Sequence, residues 1–194
     1  MTRQQLQQLI KQQRATAFEQ GTRRPDFWRS TAELNRYIAD LLYERYLKAH
    51  EKYRKWMEAA ATPPFNWRKV SSKTLSDMGL GRYALMFYGL AMECYLKAYI
   101  VKQGFDPIQN ASTSNPSLKS QFLNHNLSSY MRQALIPSSV SRPTRYIRNL
   151  ERAILAGKYP FEKNVVEANA YTAELDETVK FAKSVNRYLK RKLK

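Results

Sequence analysis

Three residues able to do chemistry sit in the most apolar stretch of this chain. In RYALMFYGLAMECYLKAYIVKQG, Arg82 to Gly104, a run of aliphatic and aromatic side chains is interrupted by Glu93, Cys94 and Lys97. A carboxylate in such a helix has to be paired, exposed through a gap or protonated. Lys97 lies four residues after Glu93, the better order for a helical ion pair, and arginines from other helices are plentiful. A structural pair is therefore expected ahead of a catalytic base. Cys94 reads as a small buried residue.

A second group is His125 and Asn126 in NHNLSSYM. Asn126 reads as the N-cap of a helix that turns Leu127, Tyr130, Met131, Ala134 and Leu135 inward, and His125 as the anchor of the loop before it. A third group is cationic. Arg145, Arg148 and Arg152 recur at three and four residues, so they form a ridge on one helix face, with Arg142 near its start. The C-terminal KSVNRYLKRKLK adds Lys183, Arg187, Lys190, Arg191, Lys192 and Lys194 without an acid. Forked guanidinium donors in a ridge suit backbone phosphates; the alternative is a solvated face, with Glu151 close by. Tyr43, Tyr46, Tyr53 and Trp56 have the types to stack on bases, but their helical spacing beside leucines fits a core face.

Other chemistries are excluded. Two histidines and one cysteine do not make a zinc site of usual spacing. There is no phosphate-binding loop, dinucleotide fingerprint or nucleophile elbow, and no cofactor is implied. Lysine and arginine number 33 against 16 aspartates and glutamates, a formal charge of +17. Such an excess points to a polyanionic partner, nucleic acid first. The single cysteine excludes an internal disulfide framework and suits a reducing compartment. MTRQQLQQLIKQQR lacks the apolar core of a secretory signal, so the cytoplasm is the expected location.

The elements that must position these groups read as helices. Residues 1–29 form a basic, Gln-rich extension, with a short apolar stripe of Leu6, Leu9 and Ile10, interrupted at Gly21 and Pro25. Residues 30–194 read as a single domain. Ser30 and Glu33 have capping-box spacing, and Leu34, Tyr37, Ile38, Leu41, Leu42, Tyr46, Ala49, Tyr53 and Trp56 then recur at helical intervals up to TPPFNW. The apolar stretch around Glu93 should be a central helix, closed by Gly104. It is no membrane span: a span needs roughly 20 nearly uninterrupted apolar residues, and each charge at the bilayer centre costs about 2.5–3.5 kcal/mol. GFDPIQNASTSNPS reads as a long mobile loop. Pro143 opens a helix to about Ala156, GKYPFEKN is a loop, and a last basic helix runs from roughly Val166, its acids early and its bases late. No segment alternates as a strand does. The fold class is all-α.

Three of these pieces in order, YGLAMECYLKAYIVKQG, NHNLSSYM and GKYPFEKN, span about Tyr83 to Phe161 and resemble the HEPN-type helical bundles. There an apolar GLALECLLKALL-like helix is followed by a GHDL-like element and a RYP-like loop. The resemblance implies an up-and-down bundle, usually a homodimer, in a superfamily rich in RNA-directed ribonucleases, toxins paired with antitoxins, and defence proteins. Many of its members carry an arginine followed four to six residues later by a histidine, shared across the dimer. The match here is Arg45-Tyr-Leu-Lys-Ala-His50, in the first long helix. By that resemblance His50 would be the general acid/base in 2′-hydroxyl attack on a phosphate and Arg45 would stabilise the developing charge, without a metal. Five residues turn about 140° around a helix, so the two meet only through distortion or a partner chain. The rival expectation is a non-catalytic binding or assembly protein whose N-terminal segment docks an antitoxin-like or other macromolecular partner.

Overall fold

The computed structural model describes residues 3–59, 71–111, 113, 115–158 and 174–194, and over them the chain is an all-α helical bundle. Its helices are α1 (Arg3–Thr22), α2 (Pro25–Ala59), α3 (Ser72–Met78), α4 (Leu80–Lys102), α5 (Leu127–Gln133), α6 (Ser138–Ser141), α7 (Thr144–Lys158) and α8 (Leu175–Lys192). Between α4 and α5 lie a two-residue ladder, β1 (Ile108–Gln109) with β2 (Ser117–Leu118), and a 3₁₀ turn at Ser120–Phe122.

Helix α4 is the centre. It is apolar on nearly every side, so it can lower its free energy only by being surrounded, and α2, α7 and α8 pack around it. Residues 91–98 are all buried. By length and composition this helix is apolar enough to cross a membrane, yet most of it is covered by the rest of the bundle, as a core helix is. Gly89 makes the approach to α7 possible: a Cβ there would stand 2.9 Å from Ile154 and 3.2 Å from the Leu150 carbonyl oxygen. The helix ends as its sequence predicts. Gly104 takes φ +91°, its N–H donates to Val101 O and the Phe105 N–H to Ile100 O, a Schellman closure.

Several boundaries differ from those expected. Within the N-terminal extension, Arg3–Thr22 form one helix that runs through Gly21, because glutamine is a good helix former. Helix α2 starts at Pro25, not at the Ser30–Glu33 spacing, since proline is preorganised for the first helical position. Trp28 fixes the corner between them by donating from Nε1 to Thr22 O at 2.8 Å. Among the described residues of the Gly104–Ser117 loop, β1 and β2 form their ladder, and Arg23 makes a two-pronged contact to Asp106 at 3.0 and 3.1 Å. That contact holds the Asp106 carboxyl below its ordinary range. Leu135 does not turn inward: it takes φ +51° just past α5 and is 81% exposed. The expected stop at TPPFNW, most of GKYPFEKN and the Val166 start of the last helix lie outside the described residues.

Candidate nucleic-acid interface

Helix α8 sorts its cations into two sets. Its apolar face, Leu175, Val179, Ala182, Val185 and Leu189, is buried against the core. On one flank, Lys183 pairs with Asp40 at 3.0 Å and Lys190 with Glu33 at 3.1 Å, so both lysines brace α8 against α2. Asp40 also accepts the Tyr88 hydroxyl at 2.5 Å, tying α2, α4 and α8 at one carboxylate. On the outer face, Arg187 and Arg191 stand one turn apart and meet Arg142, which caps the end of α6. With Ser139, Ser184 and Tyr188 they line a groove of about 400 Å³ that no carboxylate enters among the described residues. The Arg187 Nε donates to Lys183 O at 3.3 Å, which orients that guanidinium and leaves its two terminal nitrogens without a protein acceptor among the described residues.

The α7 ridge is less uniform than its spacing. Arg145 is engaged by Glu174 at 3.5 Å and by the Tyr146 hydroxyl at 3.0 Å, with its guanidinium over the Tyr146 ring. Arg148 and Arg152 are exposed. Arg148 shares a second groove with Arg132, Ser128 and Glu151.

Arg45 and His50 do not meet within the chain. Arg45 crosses to α3 and binds Asp77 at 2.6 Å. His50 is exposed, its ring tilted against Tyr46 at 5.5 Å between centroids. Tyr43 and Tyr46 stack on each other against the core, and Tyr43 donates to Asp176, so the facing rings and the Tyr43 hydroxyl are already used. A basic cleft that the sequence did not signal opens beside Arg45, where α3 crosses α2 and brings Lys73, Ser71 and Thr74 to Lys48 and Lys52. Only tertiary crossing creates it.

Glu93 and Lys97 of α4 form a closed centre. The Lys97 Nζ donates to Glu93 Oε1 at 2.6 Å, and the His125 Nδ1 lies 2.7 Å from Glu93 Oε2. The side chains of Glu93 and Lys97 are 5% and 7% exposed. As a carboxylate only accepts, Nδ1 carries the proton in this contact. The His125 Nε2 is buried without a partner among the described residues. Lys97 is ringed by Trp28, Tyr130 and Phe122 at 5.2, 5.2 and 5.9 Å, a cation–π cage that the sequence did not reveal. Burial, reinforced by the Glu93 charge, pushes the neighbouring Cys94 thiol up to about 12, which makes it a poor nucleophile. Asn126 caps α5 as expected, its Oδ1 accepting from Ser129 N at 2.7 Å.

With this geometry in hand, comparison with protein-family models, with curated proteins and with solved structures finds no match to the chain.

Proposed function

We propose that this chain is a HEPN-like bundle that binds RNA through its phosphates, in the cytoplasm, where its one buried free cysteine would stay reduced. The observation that carries the reading is how the carboxylates are used. Glu33, Asp40, Asp77, Glu93, Asp106 and Glu174 are engaged with cations of the bundle itself, so the excess positive charge is turned outward. A surface with that imbalance attracts a polyanion by releasing its counterions.

Binding is favoured over cleavage because Arg45 is held by Asp77 and His50 stands apart from it on solvent. The test is anisotropy of labelled single-stranded RNA in EDTA across a salt series, with the products run on a gel. RNA binding predicts a log–log salt slope of about −0.7 for each phosphate neutralised. Affinity indifferent to salt, or none, refutes it. Cleavage that disappears in His50→Ala would instead establish a metal-independent ribonuclease centred on His50.

A second reading has its own observation. Helix α1 presents Leu6, Leu9 and Ile10 to solvent along one side, a face suited to a protein partner. In that reading the bundle is a scaffold, and deleting α1 abolishes the complex while leaving RNA affinity unchanged.

A further inference from the structure

We infer that the groove between α6 and α8 is a receptor for a terminal phosphate, so that the RNA is held by a phosphorylated end; this rests on the RNA-binding reading above. Three features of the groove argue for an end over a continuous strand.

The first is the placement of the cations. Arg187 and Arg191 form one wall on α8 and Arg142 comes from α6, so the cations approach from two elements. A phosphodiester is blocked on two sides by its own chain and offers two free oxygens. A monoester enters end-on with three, enough to accept from forked guanidiniums on both walls.

The second is charge. Three guanidiniums without a carboxylate repel one another until an anion enters. A phosphomonoester brings about −1.5 to −2 at neutral pH, against −1 for a diester, and matches the site better. Ser139, Ser184 and Tyr188, which line the same space, carry neutral hydroxyl donors.

The third is confinement. The neighbouring α8 lysines at 183 and 190 are neutralised by Asp40 and Glu33, and Arg145 by Glu174. Arg187 and Arg191, which meet no carboxylate among the described residues, therefore keep their charge at the groove. Lys180 shares the outer face of α8 with Ser184, Arg187 and Arg191, and would guide the chain leading away from the end.

The experiment compares one oligoribonucleotide in three forms, with a 5′-phosphate, with a 3′-phosphate, and with hydroxyls at both ends, against the full chain and its variants. The inference predicts that one phosphorylated form binds about tenfold tighter than the hydroxyl form, the yield of one added charge-assisted contact. The form that gains identifies which end is read. The preference disappears in Arg142→Gln and in the Arg187→Gln/Arg191→Gln double variant, while weaker binding of the hydroxyl form persists. Lys55→Gln, which removes the same charge from a lysine paired to Glu51 on α2, keeps it. Equal affinity for all three forms, with the groove variants weakening each alike, overturns the inference and leaves a backbone track. No binding of any form by the unaltered chain overturns the RNA reading itself.

Discussion

Removing Lys97 alone should harm this protein more than removing Lys97 and the charge of Glu93 together. In Lys97→Met the side chain keeps its length within the ring of Trp28, Phe122 and Tyr130, but a 5% exposed carboxylate loses its strongest counter-charge. Breaking a buried pair from one side costs about 3–5 kcal/mol. The lower figure applies because His125 still holds Glu93 Oε2 at 2.7 Å. For a domain of this size, about 3 kcal/mol lowers Tm by roughly 6–12 °C. Glu93→Gln strands the ammonium instead and should cost a similar amount. In the Glu93→Gln/Lys97→Met double variant both charges are gone. The new amide oxygen still accepts from His125, and the introduced thioether suits an aromatic lining. The double variant should be no less stable than either single one, a coupling of about 3 kcal/mol. Urea denaturation followed by circular dichroism for the four proteins measures it. Losses that simply add, or single variants within about 1 kcal/mol of the parent, would refute the view that the three side chains act as one closed centre.

Leu135→Gly should stabilise the chain by about 1 kcal/mol, seen as a rise in Tm, because the left-handed conformation strains a side chain that is 81% exposed and packs on little. Asn126→Ala should cost about 1 kcal/mol in the same measurement by freeing the Ser129 N–H at the start of α5. Gly89→Ala should destabilise by about 1–3 kcal/mol, since a methyl group there would push Ile154 and the Leu150 carbonyl away from α4. Native Cys94 should react with a thiol reagent only on unfolding. Its raised pKa also means that the folded chain keeps a proton the unfolded chain gives up. Stability should therefore fall as pH climbs from about 8.5 toward 12, with the half-buried Tyr43 and the buried Tyr88 adding to the fall from about pH 10 upward. A pH series of denaturation midpoints checks the sign.

The all-α class, the central helix and its closure at Gly104 could be read directly, because apolar periodicity and a glycine after the last turn are local signals. The Glu93–Lys97 pair was legible for the same reason, as its members are one turn apart. His125 was not legible as the third member: it lies 32 residues from Glu93 in sequence, and only the packing of the loop before α5 against α4 brings them together. The cationic surface shows the same division. Lys183, Arg187, Lys190 and Arg191 look alike in a basic tail, and only the position of α2 decides that two are braces and two are open. The Arg45–His50 spacing carried no information about Asp77, thirty-two residues beyond Arg45, which takes the guanidinium. The Ser30–Glu33 spacing points to the wrong start for α2 because it mimics a cap inside a helix that Pro25 has already begun.

Trp28 gives the bundle an optical property. Its indole donates to the end of α1 through Thr22 O and has the Lys97 ammonium 5.2 Å from its ring centre. One fluorophore thus faces the N-terminal helix on one side and a buried positive charge on the other. Its share of the emission, beside that of Trp56 and Trp67, senses the electric field of the core at the corner between α1 and α2, so a partner that moved α1 would shift that share without any added dye.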